Sequence, residues 1–308
     1  MTPRLSCAPA GLPSEFAALD HPVEGGLPVG APGKVGVLQL SFARHGGTTR
    51  IERQYQRAPL HVYRPIHLDE HLPGMAFVFV QQSGDGYVHG DRCRIDLDCG
   101  PSTEVHLTTQ AATNVYRAQR NFATQCVNLH VAAGAVLEYL PDALVPFRGS
   151  RFFQRTCLTV HPDATAIVGE MLLPGRVARG ELHAYDLYRS ETEARRPDGT
   201  LLFADVIRLS PAEGVGPRSL ALLGGRDVLA TLYLVTHRQS PAALVELLRE
   251  VSRCEDVVAG VSELPNGSGV AARFLGSTSA AVRAALTNAW KEARLALLGA
   301  PAPDLRKG

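Results

Sequence analysis

Between Lys34 and Leu209 the chain is written in short segments in which apolar and polar residues alternate, "GVLQLSF", "HVYRPIH", "EVHLTT", "CVNLHV", "CLTVHP" and "LLFADVIRL" among them. Alternation with period two sorts side chains onto the two faces of a strand, and it cannot be reconciled with the wider spacing of a helical stripe. Helical periodicity is nearly absent over this span. The turn-forming clusters "CGPST", "VAAGA", "VHPDAT" and "RPDGT" recur at intervals of about 30 residues, each leading into a new strand. Stacked layers of similar β units would produce that spacing. No sequence identity accompanies it, so any repeat is one of structure. The expected fold class is therefore mainly β.

The pattern changes after Pro211. "RDVLATLYLVTH" reads as another strand, and Ser240-Pro241 opens a helix that continues to about Val251, with Ser as N-cap and Pro in the first turn. "ELPNGSG" is an Asn-Gly hairpin turn. A second helix spans Ser279 to Leu298, closed by Gly299, with Trp290 on its apolar stripe as a core residue. The expected organisation is a loose Pro-, Gly- and Ala-rich leader over 1–33, a β-rich domain over 34–210, a smaller α+β part over 211–300 packed on it, and a tail over 301–308.

Charge excludes some partners. The 31 basic and 30 acidic residues of the 308 are scattered, without a basic run, so neither nucleic acid nor an anionic membrane is an expected partner. No apolar stretch approaches the length of a membrane span, and the first residues lack the apolar core of a secretory signal. Cys7, Cys93, Cys99, Cys126, Cys157 and Cys254 lie far apart with no C-x-x-C pair, which favours reduced thiols in a cytoplasmic protein over disulfides or a zinc site.

The loop "SGDGYVHGD" (83–91) follows a strand, "AFVFV", but precedes the alternating "RCRIDL" and carries no lysine. A phosphate-cradling loop needs a helix N-terminus there, so a strand-to-strand connection is expected instead. Hydrolase and fixed-metal motifs such as G-x-S-x-G and H-E-x-x-H are absent. Two carboxylates do stand out. In "TAIVGEMLL" Glu170 shares strand parity with Val168 and Leu172, and in "LLFADVIRL" Asp205 shares parity with Leu201, Phe203, Ile207 and Leu209. An acid on an apolar strand face marks a buried ion pair, for instance with Arg176, Arg179 or Arg208, an internal polar channel, or a bulge that turns it outward.

Several segments then line up in order. They are Gly86, Gly90 and Asp91 of the loop; "LTTQAATNVYRA", ending in Tyr116-Arg117; "GAVLEYLPDALVPF", with Glu138, Pro141 and Asp142; "GEMLLPGRVARGE", with Glu170, Gly175-Arg176 and Gly180-Glu181; and the strand carrying Asp205. With the closing helix "NAWKEARLALLGAPAP", they resemble the UreD family of urease accessory proteins, called UreH in some organisms. The loop departs from the family pattern, with Asp85 in place of a glycine and His89 where another is usual. Asp tolerates the left-handed backbone region better than most residues.

The resemblance implies layered, superhelical strands with two α-helices near the C-terminus. It also implies a non-catalytic maturation factor that binds apo-urease and a UreF–UreG assembly, in which UreG hydrolyses GTP. Such a protein passes nickel through an internal tunnel and holds no tight cofactor, Ni2+ being a transient cargo. Spaced carboxylates suit a conduit, because they hold a divalent ion more weakly than imidazole or thiolate and release it onward. Asp91, Glu170, Glu181 and Asp205 are the expected path residues, with Glu138 and Asp142 as weaker candidates. The competing expectation is a β-rich hydrolase that uses Glu170 and Glu181 as an acid pair.

Overall fold

The alternating segments assemble into two facing sheets, seen in a computed structural model that describes residues 11–20, 31–213 and 215–305. Parts of the expected leader and tail, and Cys7, lie outside the described residues. Within the leader a single helical turn, α1 (Ser14–Ala17), is described. The hairpin of β1 (Val35–His45) and β2 (Thr48–Arg57) comes next, followed by the short β3 (Leu60–Val62). "HVYRPIH" forms a strand only as far as Val62. Pro65 has no N–H to give a ladder and restricts the residue before it, and the chain recovers a single bridge, Ile66 to Phe77.

Four circuits follow, each giving one strand to the first sheet and at least one to the second, where the short β7 and β10 are extra strands. They run through β4 (Ala76–Gln82) and β5 (Arg92–Cys99); β6 (Glu104–Thr109), β7 (Thr113–Val115) and β8 (Ala123–Val131); β9 (Val136–Tyr139), β10 (Leu144–Pro146) and β11 (Arg151–Val160); and β12 (Thr165–Leu172) and β13 (Leu187–Arg195). Strands β5, β8, β11 and β13 pair in parallel in one sheet, and β4, β6, β9 and β12 pair in parallel in the other. This is solenoid-like stacking. "CGPST", "VAAGA" and "VHPDAT" are one corner repeated on three successive rungs, joined by the bonds from Ala132 N–H to Cys99 O (3.0 Å) and from His161 N–H to Val131 O (2.9 Å). "RPDGT" differs: it folds β13 back as a hairpin into β14 (Leu201–Leu209), within the same sheet.

The chain then crosses to the second sheet as β15 (Val228–Val235), which is followed by α2 (Pro241–Val251), β16 (Val257–Glu263), β17 (Gly269–Gly276) and α3 (Ser279–Leu298). The first sheet has seven strands, in the order β14-β13-β11-β8-β5-β1-β2. The second has the path β16-β17-β15-β12-β9-β6-β4-β3. The predicted caps are present: the Ser240 hydroxyl accepts from Ala243 N–H, Gly299 closes α3 in the left-handed region, and Asn266 and Gly267 make the β16–β17 turn with φ near +60°.

One core fills the space between the sheets. A second lies on the far face of the second sheet, where Leu244, Leu248, Val282 and Trp290 of α2 and α3 cover Ile167, Leu232 and Phe274. Each fully buried side chain of this kind contributes about 1.5–3 kcal/mol. Covering on both faces explains why β15 is buried at every position and reads as one continuous apolar run.

Candidate functional site

A belt of polar side chains crosses the inter-sheet core near its β14–β17 side. On β14, Phe203, Asp205 and Leu209 face the interior as alternation predicts, whereas Leu201 is carried to the surface by a bulge between Ala194 and Arg195. The bulge lies beyond Asp205, which keeps its register opposite Thr192 and stays inward. Its carboxylate accepts the Tyr233 hydroxyl at 2.5 Å and the guanidinium of Arg273. The arginines close in sequence are engaged elsewhere: Arg176 with Glu181, and Arg208 with Glu15 and Glu213.

Glu170 reaches across from the opposite sheet. Its Oε2 accepts the Ser190 hydroxyl at 3.0 Å and the Gln154 amide at 3.3 Å, while Oε1 is shut away from solvent with no hydrogen-bond partner. In the ladder Glu170 lies beside Thr231, and Thr231 beside Arg273. Gln154 and Ser190 are likewise neighbours in the facing sheet. The belt thus runs from a shielded carboxylate oxygen to Arg273, whose side chain is 45% exposed.

Burial pushes the Glu170 carboxyl up to about 7; the Ser190 hydrogen bond opposes this, the charge of Asp205 adds to it, and Arg273 opposes it. Burial, with the charge of Glu170 adding, also raises the phenols of Tyr139, Tyr188 and Tyr233, which stay protonated. The folded chain therefore holds a proton on Glu170 over a range in which the unfolded chain, titrating near 4.5, has lost it. The stability from this proton is complete below the unfolded value and disappears as pH rises through about 7. A shift of this size corresponds to about 3 kcal/mol, reduced to about 2 kcal/mol by the water that reaches a half-buried side chain. Glu170→Gln is accordingly expected to resist urea better than the parent at pH 8.5 and equally well at pH 4.5. A difference that does not change with pH would contradict this.

The other expected acids lie apart from the belt. Asp91 is buried, and both its oxygens are taken by backbone donors: Lys34 N–H at 2.8 Å and Val88 N–H at 3.0 Å. Burial raises its carboxyl, against the pull of those two bonds. It ties the end of the 83–91 loop to the start of β1. Glu181 is held by Arg176 through both oxygens, at 2.6 and 2.8 Å, and also accepts Arg148 N–H. The Arg176 hydrogen bonds keep its carboxyl below the ordinary range. Asp142 pairs with Arg283 at 3.0 Å on the α3 side. Glu170 and Glu181 therefore engage separate sets of residues.

Glu138 belongs to a second buried polar cluster, between the second sheet and α3. Arg294, on α3 and wholly buried, donates to Glu138 at 3.0 and 3.1 Å and to Asp69. Asp69 also accepts His71 and Leu72 N–H at 2.8 and 3.0 Å. His106 Nδ1 meets Glu138 Oε2 at 2.6 Å, and its ring stacks on Phe77 at 4.9 Å. Sequence reasoning missed Arg294, although it follows Trp290 by four residues and so shares the apolar stripe. It also missed Arg273, which alternates onto the same face as Ala271 and Leu275.

The loop is a strand-to-strand connection, as expected. Asp85 takes φ +59° and Gly86 φ +142°, and Asn114 Nδ2 donates to Asp85 O at 3.1 Å. A Cβ on Gly86 would lie 2.2 Å from Asn114 O. Gly86→Ala is expected to lower the urea midpoint by an amount equivalent to about 2–3 kcal/mol, since strain and backbone overlap coincide. Asp85 is exposed and His89 half-buried, and among the described residues no three His, Cys, Asp or Glu side chains form a metal cluster.

The model of the UreD urease accessory protein family matches residues 34–307. The chain is 44% identical to "Urease accessory protein UreD 2" of Streptomyces griseus subsp. griseus over 282 residues, 91% of this chain and 96% of that protein. It is 38% identical to "Urease accessory protein UreD 2" of Brucella suis biovar 1 over 281 residues, 90% and 93% of the two chains. It is 35% identical to "Urease accessory protein UreD" of Cenarchaeum symbiosum over 285 residues, 92% and 99%. With the family model matching most of its length and relatives of 35–44% identity covered almost end to end, the chain belongs to the UreD urease accessory protein family.

Proposed function

We propose that the chain acts in urease maturation as a non-catalytic factor that binds apo-urease and a UreF–UreG assembly and relays nickel along the belt of Glu170 and Asp205. The observation that carries the relay is the free Oε1 of Glu170, an acceptor enclosed between the sheets with no donor assigned to it. Burial keeps a proton on this carboxyl, and a divalent cation that reaches Oε1 takes the place of that proton as the compensating charge. Asp205 stands between it and the surface, already turned toward a cation, Arg273. Two carboxylates with hydroxyl neighbours attract a divalent ion without the retention of a thiolate or imidazole cage.

Asp91 and Glu181 are saturated by donors of the chain itself, and we assign them to holding the 83–91 loop and the 174–184 segment. The hydrolase alternative has less support, because Glu181 is locked to Arg176 and does not share a partner with Glu170. No disulfide joins Cys93, Cys99, Cys126, Cys157 or Cys254, which suits a reducing compartment, and we propose the cytoplasm as the place of action. No described helix is long and apolar enough to cross a membrane.

The test is complementation of a urease operon lacking its UreD gene, with activity and urease-bound nickel measured together. Recovery of both is the expected result. Failure of both, with UreF and UreG supplied from the same source, would remove the proposal.

A further inference from the structure

Phe153 points outward on β11 and is nevertheless completely buried. Its neighbour Phe152 belongs to the inter-sheet core, whereas Phe153 clusters with Phe16, Phe122 and Leu187 on the outer face of the first sheet. Phe16, from α1, is what covers it. Its ring lies 4.9 Å from Phe122 and 5.3 Å from Phe153, and it has no exposed surface.

Arginines surround this socket. One row of the ladder places Arg92, Thr124, Phe153, Arg189 and Arg208 side by side across five strands. Arg92 lies 4.1 Å above the Phe122 ring and Arg155 lies 5.2 Å from Phe153. The segment 11–20 answers each of them. Glu15 pairs with Arg189 at 2.9 Å and with Arg208 at 3.4 Å, Asp20 pairs with Arg92 at 2.9 Å, and Gly11 O accepts from Arg155 at 3.2 Å. An aromatic anchor in a desolvated pocket, flanked by acids on a basic rim, is the anatomy of a peptide bound to a receptor.

The family match begins at residue 34, so the socket lies on the shared body and the segment that fills it lies outside that match. We propose that residues 11–20 are a self-bound ligand masking a docking socket for an acidic, phenylalanine-bearing segment of a partner protein. The intramolecular segment is held at an effective concentration that a free segment must exceed, so the socket opens only to a ligand of matching chemistry at higher affinity or to a chain whose own segment has been released.

The test needs no urease. A fluorescein-labelled peptide, GLPSEFAALD, is titrated into three proteins: the full chain, the full chain carrying Phe16→Ala, and the chain lacking residues 1–20. The expected result is saturable, salt-sensitive binding to the last two, at least about tenfold tighter than to the full chain. That binding should be lost when the peptide's Phe is replaced by Ala, or when Arg189 of the shortened chain is replaced by Glu. Equal binding to all three proteins would overturn the proposal, as would no binding to a shortened chain that still melts cooperatively. Loss of cooperative melting in both altered chains would make the segment part of the core and overturn it as well. A full chain found as a dimer that the free peptide dissociates would assign the socket to a second copy instead.

Discussion

Replacing Arg294 with alanine is expected to lower the stability of the chain by about 3–5 kcal/mol, the cost of breaking a buried ion pair by removing one partner. The guanidinium is wholly buried and is the cation shared by two buried carboxylates, Asp69 and Glu138. Without it both would face each other's charge in a low-dielectric space, with only the His106 ring and two backbone N–H groups as donors. These contacts also tie α3 to the 69–75 segment and to β9, so loosening of that helix should accompany the loss. Urea denaturation followed by circular dichroism measures it. Arg294→Lys should recover part of the loss, since a lysine keeps the charge but not the fork that reaches both acids. A loss below about 1 kcal/mol would mean that the cluster is no more than a surface-grade interaction.

The second large effect concerns the belt. Glu170→Gln combined with Asp205→Asn is expected to reduce the nickel content of urease matured at limiting nickel by at least about tenfold, equivalent to about 1.4 kcal/mol of lost attraction for the ion. Both substitutions keep the shape of the side chain and remove its ability to ionise. Glu170→Gln alone should raise stability at alkaline pH, whereas Asp205→Asn gives up the ion pair with Arg273. The urea midpoint of the double variant is therefore measured beside its loading and must match the parent for a poorer relay to count. Metal analysis of the urease at limiting and at saturating nickel is the measurement. Normal loading at limiting nickel would exclude the belt as a path. Asp142→Asn, which disturbs the α3-side pair with Arg283 and lies apart from the belt, should leave loading unchanged.

Local signals carried far into this fold. Strand parity placed Asp205 and Glu170 on the interior face, because a single inward position is decided by its immediate neighbours. The recurring turns located three equivalent corners, because each corner needs the same reversal of the backbone. Ser240-Pro241, Asn266-Gly267 and Gly299 marked helix ends and a hairpin by backbone chemistry alone. The partners of the acids were another matter. Tyr233 and Arg273 stand 28 and 68 residues from Asp205, and only the crossing of the chain to the second sheet brings them near. Arg176 and Arg208 lay closer in sequence, but Arg176 lies beyond the end of β12 beside Glu181, and Arg208, on Asp205's own strand, points to the outer face. Arg294 left the same trace as Asp205, a charge on an apolar stripe, but the stripe of an amphipathic helix is broad enough for a terminal charge to pass as solvated. Phe16 left no trace in periodicity, since one anchored turn in a Pro- and Gly-rich stretch has no period.

The hairpins that end the first sheet decide how another protein can reach this one. The rungs between them are parallel and alike, the kind of ladder to which a further strand is easily added. At one end β2 turns back antiparallel on β1, presenting Arg50, Glu52, Arg53 and Arg57; at the other, β14 turns back on β13. The charged β2 edge resists edge-to-edge growth, and at the β14 end the hairpin breaks the run of parallel rungs. Recognition is thereby directed to the faces and loops of the molecule, where side-chain chemistry selects the visitor, and away from backbone pairing, which would admit almost any extended chain.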